Sequence, residues 1–289
     1  MLAASYEART SRTWLIVRRI ISYTVLILLT FLSFFAFYIL IINSSRAHPD
    51  IQKGFSFLPG TFLLTNISNV LFKGTLPVLS GMFNSLFVSG MVAILSTYFS
   101  AMTAYGIHAY NFKFRRVAFS FILMIMMVPT QVSALGFMRL MFSWGFKDSF
   151  IPLIIPAAAA PVVFFFMKQY MESVLPLEII EAARIDGSNE FMTFNRIVMP
   201  IMKPAIAVQA IFSFVSAWNN YFLPALFLDT DKKKTLPILI AQLRSADFMK
   251  FDMGQVYTLI AISIFPVVVV YLLLSKFIVR GVTLGSVKG

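Results

Sequence analysis

Apolar residues in this chain come in long blocks, not in the two-residue alternation of a strand or the 3.6-residue rhythm of a half-buried helix. Six blocks contain no Asp, Glu, Lys or Arg: Ile20 to Ile42, Leu86 to Ile107, Val117 to Phe137, Phe150 to Met167, Ala205 to Leu228 and Gln255 to Ser275. Each reaches the roughly 17 to 25 residues that a helix needs to cross a hydrocarbon core of about 30 Å. Lipid offers no partner for a backbone amide or carbonyl, so each block is expected to be helical. Pro152, Pro156 and Pro161 interrupt the fourth, which is the shortest. The pattern predicts an all-α, polytopic membrane protein with six transmembrane helices, made of a segment 1–19, a membrane domain 20–280 and a tail 281–289. The connections from Asn43 to Gly81 and from Asp229 to Gly254 are too long for plain turns and are expected to carry ordered structure.

One connection departs from this plan, because residues 168–203 are both amphipathic and charged. Spacing predicts a helix over Leu177 to Ile185 with Glu178, Glu181 and Arg184 on its wet side, stopped by a left-handed Gly187. Ser188 or Asn189 then caps a second helix with Glu190 in its first turn. On it, Phe191, Phe194, Ile197 and Val198 recur at helical spacing and are expected to form an apolar ridge facing the cytoplasm. Two readings of that ridge stay open: it seats in a groove of a partner protein, or it folds back on the chain or lies at the lipid interface.

Composition supports the membrane class and removes other classes. Hydrophobic residues make up 59% of the 289 positions and charged ones 12%, against about 25% charged in soluble domains. A net charge of +12 raises the question of nucleic acid, but Lys and Arg sit at the ends of the apolar blocks and form no basic stripe. They act as topology signals. Arg9, Arg12, Arg18 and Arg19 precede the first block, whose apolar core is too long for a cleaved signal peptide despite the small-residue stretch Ser45 to Ala47. With that helix retained and the basic amino terminus inside, 14 of the 24 basic residues fall on inner segments and 10 on outer ones. Both termini are therefore expected in the cytoplasm.

The chain has no cysteine and only His48 and His108, so no metal site or thiol nucleophile is expected. Asp, Glu, Lys and Arg are absent from the six blocks, and of the histidines only His108 comes close, whereas proton-driven carriers keep such groups at membrane depth. No Gly-Lys dipeptide occurs, hence no phosphate loop, and other catalytic motifs are missing too. No catalytic residue and no cofactor are expected in this chain, so energy has to come from another subunit. Gln131, two residues after Pro129, and Trp218, Asn219 and Asn220 in the fifth block are the polar groups placed to line a pathway. Neutral amides and an indole suit sugar hydroxyls. Equally, such amides bond neighbouring helices, an interaction of about 0.6 to 2 kcal/mol.

Glu181, Ala182, Ala183, Asp186 and Gly187, followed by Ile197, Met199 and Pro200, resemble the EAA loop of ABC importer permeases, with Met199 where Leu is usual. Asn84 and Ser85, Pro129 to Gln131, Ser216 to Leu226 and the ending FIVRGVTLGSVKG are similar to the smaller, MalG-like permease of the maltose-type carbohydrate importers. The likeness covers Ile20 to Gly289, and Asn219-Asn220 stands where Asn-Glu is commoner. The resemblance implies a type I ABC importer permease fold in a bacterial cytoplasmic membrane. It implies that loop 168–203 is the coupling helix, with Glu181 against the nucleotide-binding subunit, Gly187 at the bend and Phe191 to Ile197 inserted in its cleft. Implied partners are a second homologous permease, two ATP-binding subunits holding ATP and Mg, and an extracytoplasmic sugar-binding protein. The other classes considered are a facilitative or sodium-coupled carrier, which could use backbone carbonyls, and a membrane-embedded enzyme, for which intramembrane nucleophile, acid and metal ligands are lacking.

Overall fold

The computed structural model describes residues 2–246 and 251–285, and side chains from 14 to 246 and from 251 to 278. Lys250, Lys288 and the end of the carboxyl-terminal motif lie outside the described residues, as do the side chains of Arg9, Arg12 and Arg280. Among the described residues every regular element is helical. The chain divides into two compact units, 1–72 with 249–261 and 73–248 with 262–289.

The first unit holds α1 (Leu2–Ser44), α2 (His48–Gln52), α3 (Leu63–Ser68) and the first residues of α15 (Met253–Gly285). No Gly or Pro occurs between Leu2 and Ser44, so nothing stops α1. Its apolar stretch from Trp14 onward is almost wholly exposed, which leaves its Leu, Ile and Phe side chains to be solvated by lipid or by another protein. The connection after α1 is ordered around Arg46, which is 9% exposed. Its guanidinium donates to Asn43 Oδ1 at 3.1 Å, to the Gly54 carbonyl at 3.0 Å and to the Asp50 carbonyl. Asn66 Nδ2 donates to the carbonyls of Ser44 and Arg46 at 2.9 and 3.0 Å. A Cβ at Gly254 would stand 2.7 Å from the Arg46 carbonyl oxygen and 2.8 Å from Asn66 Nδ2, so this close approach needs glycine.

The second unit contains α4 (Val78–Ala109), α5 (Arg115–Ile125), α6 (Thr130–Ser143), α7 (Ile151–Ile154), α8 (Pro161–Val174), α9 (Leu177–Ile185), α10 (Glu190–Thr193), α11 (Met199–Ile201), α12 (Lys203–Trp218), α13 (Phe222–Phe227) and α14 (Leu236–Arg244). A 3-10 turn, Ile155–Ala158, follows α7, and a π turn, Phe194–Val198, joins α10 to α11. Helix α4 packs along both α8 and α12. Its buried face is built of small residues, Ala93, Ser96, Thr97, Ser100, Ala101 and Ala104, which let helix backbones approach closely. Ser96 Oγ donates to Ser213 Oγ at 3.0 Å across the α4–α12 contact. At the end of α4, His108 Nε2 lies 2.8 Å from the Leu175 carbonyl just beyond α8.

Among the described residues, four stretches are long and apolar enough to span by themselves, beginning at Trp14, Val78, Ile151 and Met253; the number reaches six if two bent helix pairs each count as one span. The expected third span, 117–137, is two helices bent by 96° between Ile125 and Thr130. Pro129 has no amide hydrogen and disfavours helical Val128, so a straight helix cannot continue. The other bent pair is Glu190–Ile201 with Lys203–Trp218, at 81°. The expected fifth span, 205–228, breaks after Trp218 and resumes at Phe222. The fourth is longer than expected, reaching Val174, so it includes Lys168. This buried cation survives there because Glu172, one turn on, pairs with it.

Two connections of the second unit are clamped by Asp148, whose φ of +52° is the one positive value among described non-glycine residues. Its Oδ1 accepts from the amides of Asp229 and Thr230 at 3.0 and 3.1 Å, and its Oδ2 from Thr230 Oγ1 at 2.6 Å. Lys233 Nζ reaches both the Asp148 carbonyl and its carboxylate. Burial opposes ionisation here, but the Thr230 hydroxyl and amide, Lys233 and the Asp229 amide outweigh it and hold the carboxyl well below its ordinary value.

Candidate functional site

Residues 176–203 form a helical hairpin whose turn follows from local chemistry. Pro176, in extended conformation, precedes α9, and Glu178 and Arg184 occupy its first and last turns, where the helix dipole favours each sign. The helix ends in two paired bonds, Gly187 amide to Arg184 carbonyl and Ser188 amide to Ala183 carbonyl, both 3.0 Å. Gly187 makes this closure possible at φ +79°. Asn189 Oδ1 then accepts the Met192 amide at 2.8 Å and starts α10.

Glu190 ties the hairpin to α4. Its Oε1 accepts from Arg184 Nε at 2.8 Å and its Oε2 from the Tyr105 hydroxyl at 2.6 Å. The Glu190 carboxylate, acting first through this hydrogen bond, holds the Arg184 guanidinium above its ordinary value, and the same guanidinium lies 5.2 Å from the Tyr110 ring centroid. Tyr98 OH adds a bond to Asn195 Oδ1 at 3.2 Å. The Tyr105–Glu190 and Tyr98–Asn195 bonds join residues 85 and 97 positions apart and are not foreshadowed by any spacing in the sequence.

The expected ridge is not a single surface. Phe191 is 72% exposed, but Phe194 is 3% exposed and packs between the rings of Tyr98 and Tyr105 at 5.6 and 5.7 Å. Val198 is buried in the same core, and Ile197 is half-buried. The π turn places five residues, Phe194–Val198, where an α-helical wheel assumes fewer per turn, so the wheel's face is lost. The large apolar side chains that the hairpin exposes most are Ile185, at 86%, and Phe191, with Leu177, Ile179 and Met192 exposed to a lesser degree. Glu181, Ala182, Asp186 and Pro200 are exposed, and Ala183 is buried. The Glu181 side chain makes no hydrogen bond or ion pair among the described residues.

The polar pathway candidates separate into two places. Trp218 is buried and stacked on Phe214 at 5.7 Å. Trp218 and Asn219 line a cavity of about 330 Å³ with Tyr221 and Arg244. Asn220 Oδ1 accepts the Leu223 amide at 3.3 Å, the turn that starts α13. Gln131 is exposed in the first turn of α6 and is not among the residues lining that cavity. No group of three or more His, Cys, Asp or Glu that could hold a metal occurs among the described residues.

Residues 97–284 match the family of binding-protein-dependent transport system inner membrane components. The chain belongs to this family. Among its relatives is the arabinooligosaccharides transport system permease protein AraQ of Bacillus subtilis, 36% identical over 222 residues, 76% of this chain and 77% of that one. AraQ of Halalkalibacterium halodurans is 31% identical over 267 residues, covering 90% and 93%. The fold is similar to that of a chain in a bacterial ABC transporter involved in import of the acidic polysaccharide alginate, with a TM-score of 0.76 at 24% identity, covering 89% of this chain and 96% of that one. Membership in the binding-protein-dependent transport family makes this chain a membrane transport component, and it sets aside the facilitative or sodium-coupled carrier and the membrane enzyme.

Proposed function

We propose that this chain is one permease subunit of an ATP-driven importer for an oligosaccharide, paired with a second permease and two ATP-binding subunits that hold ATP and Mg. An extracytoplasmic binding protein delivers the sugar, and both termini lie in the cytoplasm. The observation that carries the reading is the hairpin 176–203. Solvent-facing Ile185 and Phe191 flank a turn fixed by Gly187 and anchored to α4 through Glu190. Displacing such a hairpin from outside moves the end of a transmembrane helix, which is what coupling ATP-driven closure to alternating access requires. The names of the relatives support oligosaccharide as cargo. On the pathway side, Trp218, Asn219 and Tyr221 supply aromatic faces and an amide suited to sugar hydroxyls.

Gly187→Val tests the coupling. A Cβ there meets no neighbour, so the cost is the left-handed backbone, about 1 kcal/mol or more for a side-chain-bearing residue. The variant should insert in the membrane but lose co-purification of the ATP-binding subunit or binding-protein-stimulated hydrolysis, while Asn219→Ala should spare assembly and reduce only transport. Wild-type assembly and hydrolysis in Gly187→Val would remove the coupling role. Unchanged transport in Asn219→Ala would remove the pathway role.

A further inference from the structure

The end of α4, the link to α5 with its first turns, and the last turns of α8 line an open cavity of about 1090 Å³. Lys113, Arg115, Arg116 and Lys168 line it, with Glu172 as the carboxylate among them. Lys168, 4% exposed, pairs with Glu172. Lys113, Arg115 and Arg116 make no ion pair or side-chain hydrogen bond among the described residues. A concave wall therefore carries three uncompensated cations, and a low-dielectric wall concentrates their field on whatever enters. The charge is matched to an anion with several acceptor oxygens, because guanidinium groups recognise phosphate through paired hydrogen bonds.

What surrounds the cavity decides the source of that anion. Phe114 and Val117, beside the cations in sequence, are 64% and 63% exposed. Helix α5 begins at Arg115 and runs straight into apolar sequence. The cations thus stand at the start of an apolar helix, with exposed apolar side chains next to them for acyl chains to cover. The volume exceeds what inorganic phosphate fills and admits a glycerophosphate headgroup. We propose that this cavity binds the phosphate of an anionic phospholipid headgroup, with Lys113, Arg115 and Arg116 contacting its oxygens. Basic pockets between membrane helices hold such headgroups on general electrostatic grounds. The buried Lys168–Glu172 pair forms the floor.

The test uses the whole transporter complex, purified in detergent and stripped of lipid. It is titrated with short-chain phosphatidylglycerol or with phosphatidylcholine of the same chains, and binding is read by native mass spectrometry. Phosphatidylglycerol should bind at least about tenfold more tightly, and Arg116→Gln alone should lower that preference about fivefold. Neutralising Lys113, Arg115 and Arg116 together to Gln should abolish it. Equal binding of the two lipids by the wild type, or an undiminished preference in Arg116→Gln, would overturn the proposal. Displacement of the lipid by sn-glycerol 3-phosphate at equal concentration would reassign the cavity to a soluble phosphate. A preference that emerges only after the ATP-binding subunit is stripped away would show that an acidic face of that subunit covers the cavity, and would equally overturn the lipid assignment.

Discussion

Phe191 and Phe194, three positions apart on what the sequence presents as one apolar face, have opposite fates. Phe194 is wedged between Tyr98 and Tyr105, and Phe191 is left in solvent. Truncation to alanine should therefore separate them. Phe194→Ala empties a core site, a change that typically costs about 3 to 5 kcal/mol, and should lower the thermal unfolding temperature of the purified subunit. Phe191→Ala should leave that temperature unchanged and weaken retention of the ATP-binding subunit, because exposed apolar anchors at interfaces carry binding rather than folding energy. Equal unfolding temperatures for the two variants would contradict this division. The Gly187 stop and a cap at Ser188 or Asn189 were legible in the sequence because each follows from a residue's local conformational preference, and the structure places the cap at Asn189. The inward turn of Phe194 was not, since it depends on a π turn and on tyrosines that local pattern cannot bring into view.

At the scale of elements, the apolar blocks located the helices, but their breaks were harder to read. Pro129 lies within the third block, yet proline alone does not tell a mild kink from a 96° bend. The break after Trp218 has no proline before Pro224, and it is followed by a turn in which Asn220 Oδ1 accepts the Leu223 amide. The clamp at Asp148 is an element-scale device of the same kind, because a single carboxylate organises the start of the 229–234 connection. Asp148→Gly would keep the left-handed backbone and remove the carboxylate. Hydrogen bonds to a charged group contribute about 1.5 to 3 kcal/mol, so the amides of Asp229 and Thr230 should exchange with deuterium at least about tenfold faster in the variant. Unaltered exchange would show that the clamp holds nothing. Since the folded state keeps this carboxyl below its ordinary value, the clamp's contribution is present above that value, near pH 4. It is lost only as pH falls further, so exchange protection should persist throughout the neutral range.

For the whole molecule, composition and block length were enough to give the membrane class, and the EAA-like residues gave the family. The basic clusters at Arg18, Arg19, Lys113, Arg115, Arg116 and Lys276 motivate the orientation proposed above. Reporter fusions at Asn195 and Gly289 should report cytoplasm, and one at Asp231 should report the outside; an outside signal at Asn195 would invert the scheme. Neither the Glu190–Tyr105 bond nor the Asp148–Thr230 clamp could be read from the sequence, because their partners stand 85 and 82 positions apart. That separation has a consequence for biogenesis. A ribosome delivers the chain from its amino terminus, and at about 5 to 20 residues per second the partner of Asp148 is made several seconds after Asp148 itself. Throughout that interval Asp148 has no Thr230 or Lys233 to bond. The clamp can close only once the intervening helices have been threaded, so its formation marks the late, post-insertion stage of assembly and not the order in which the spans enter the bilayer.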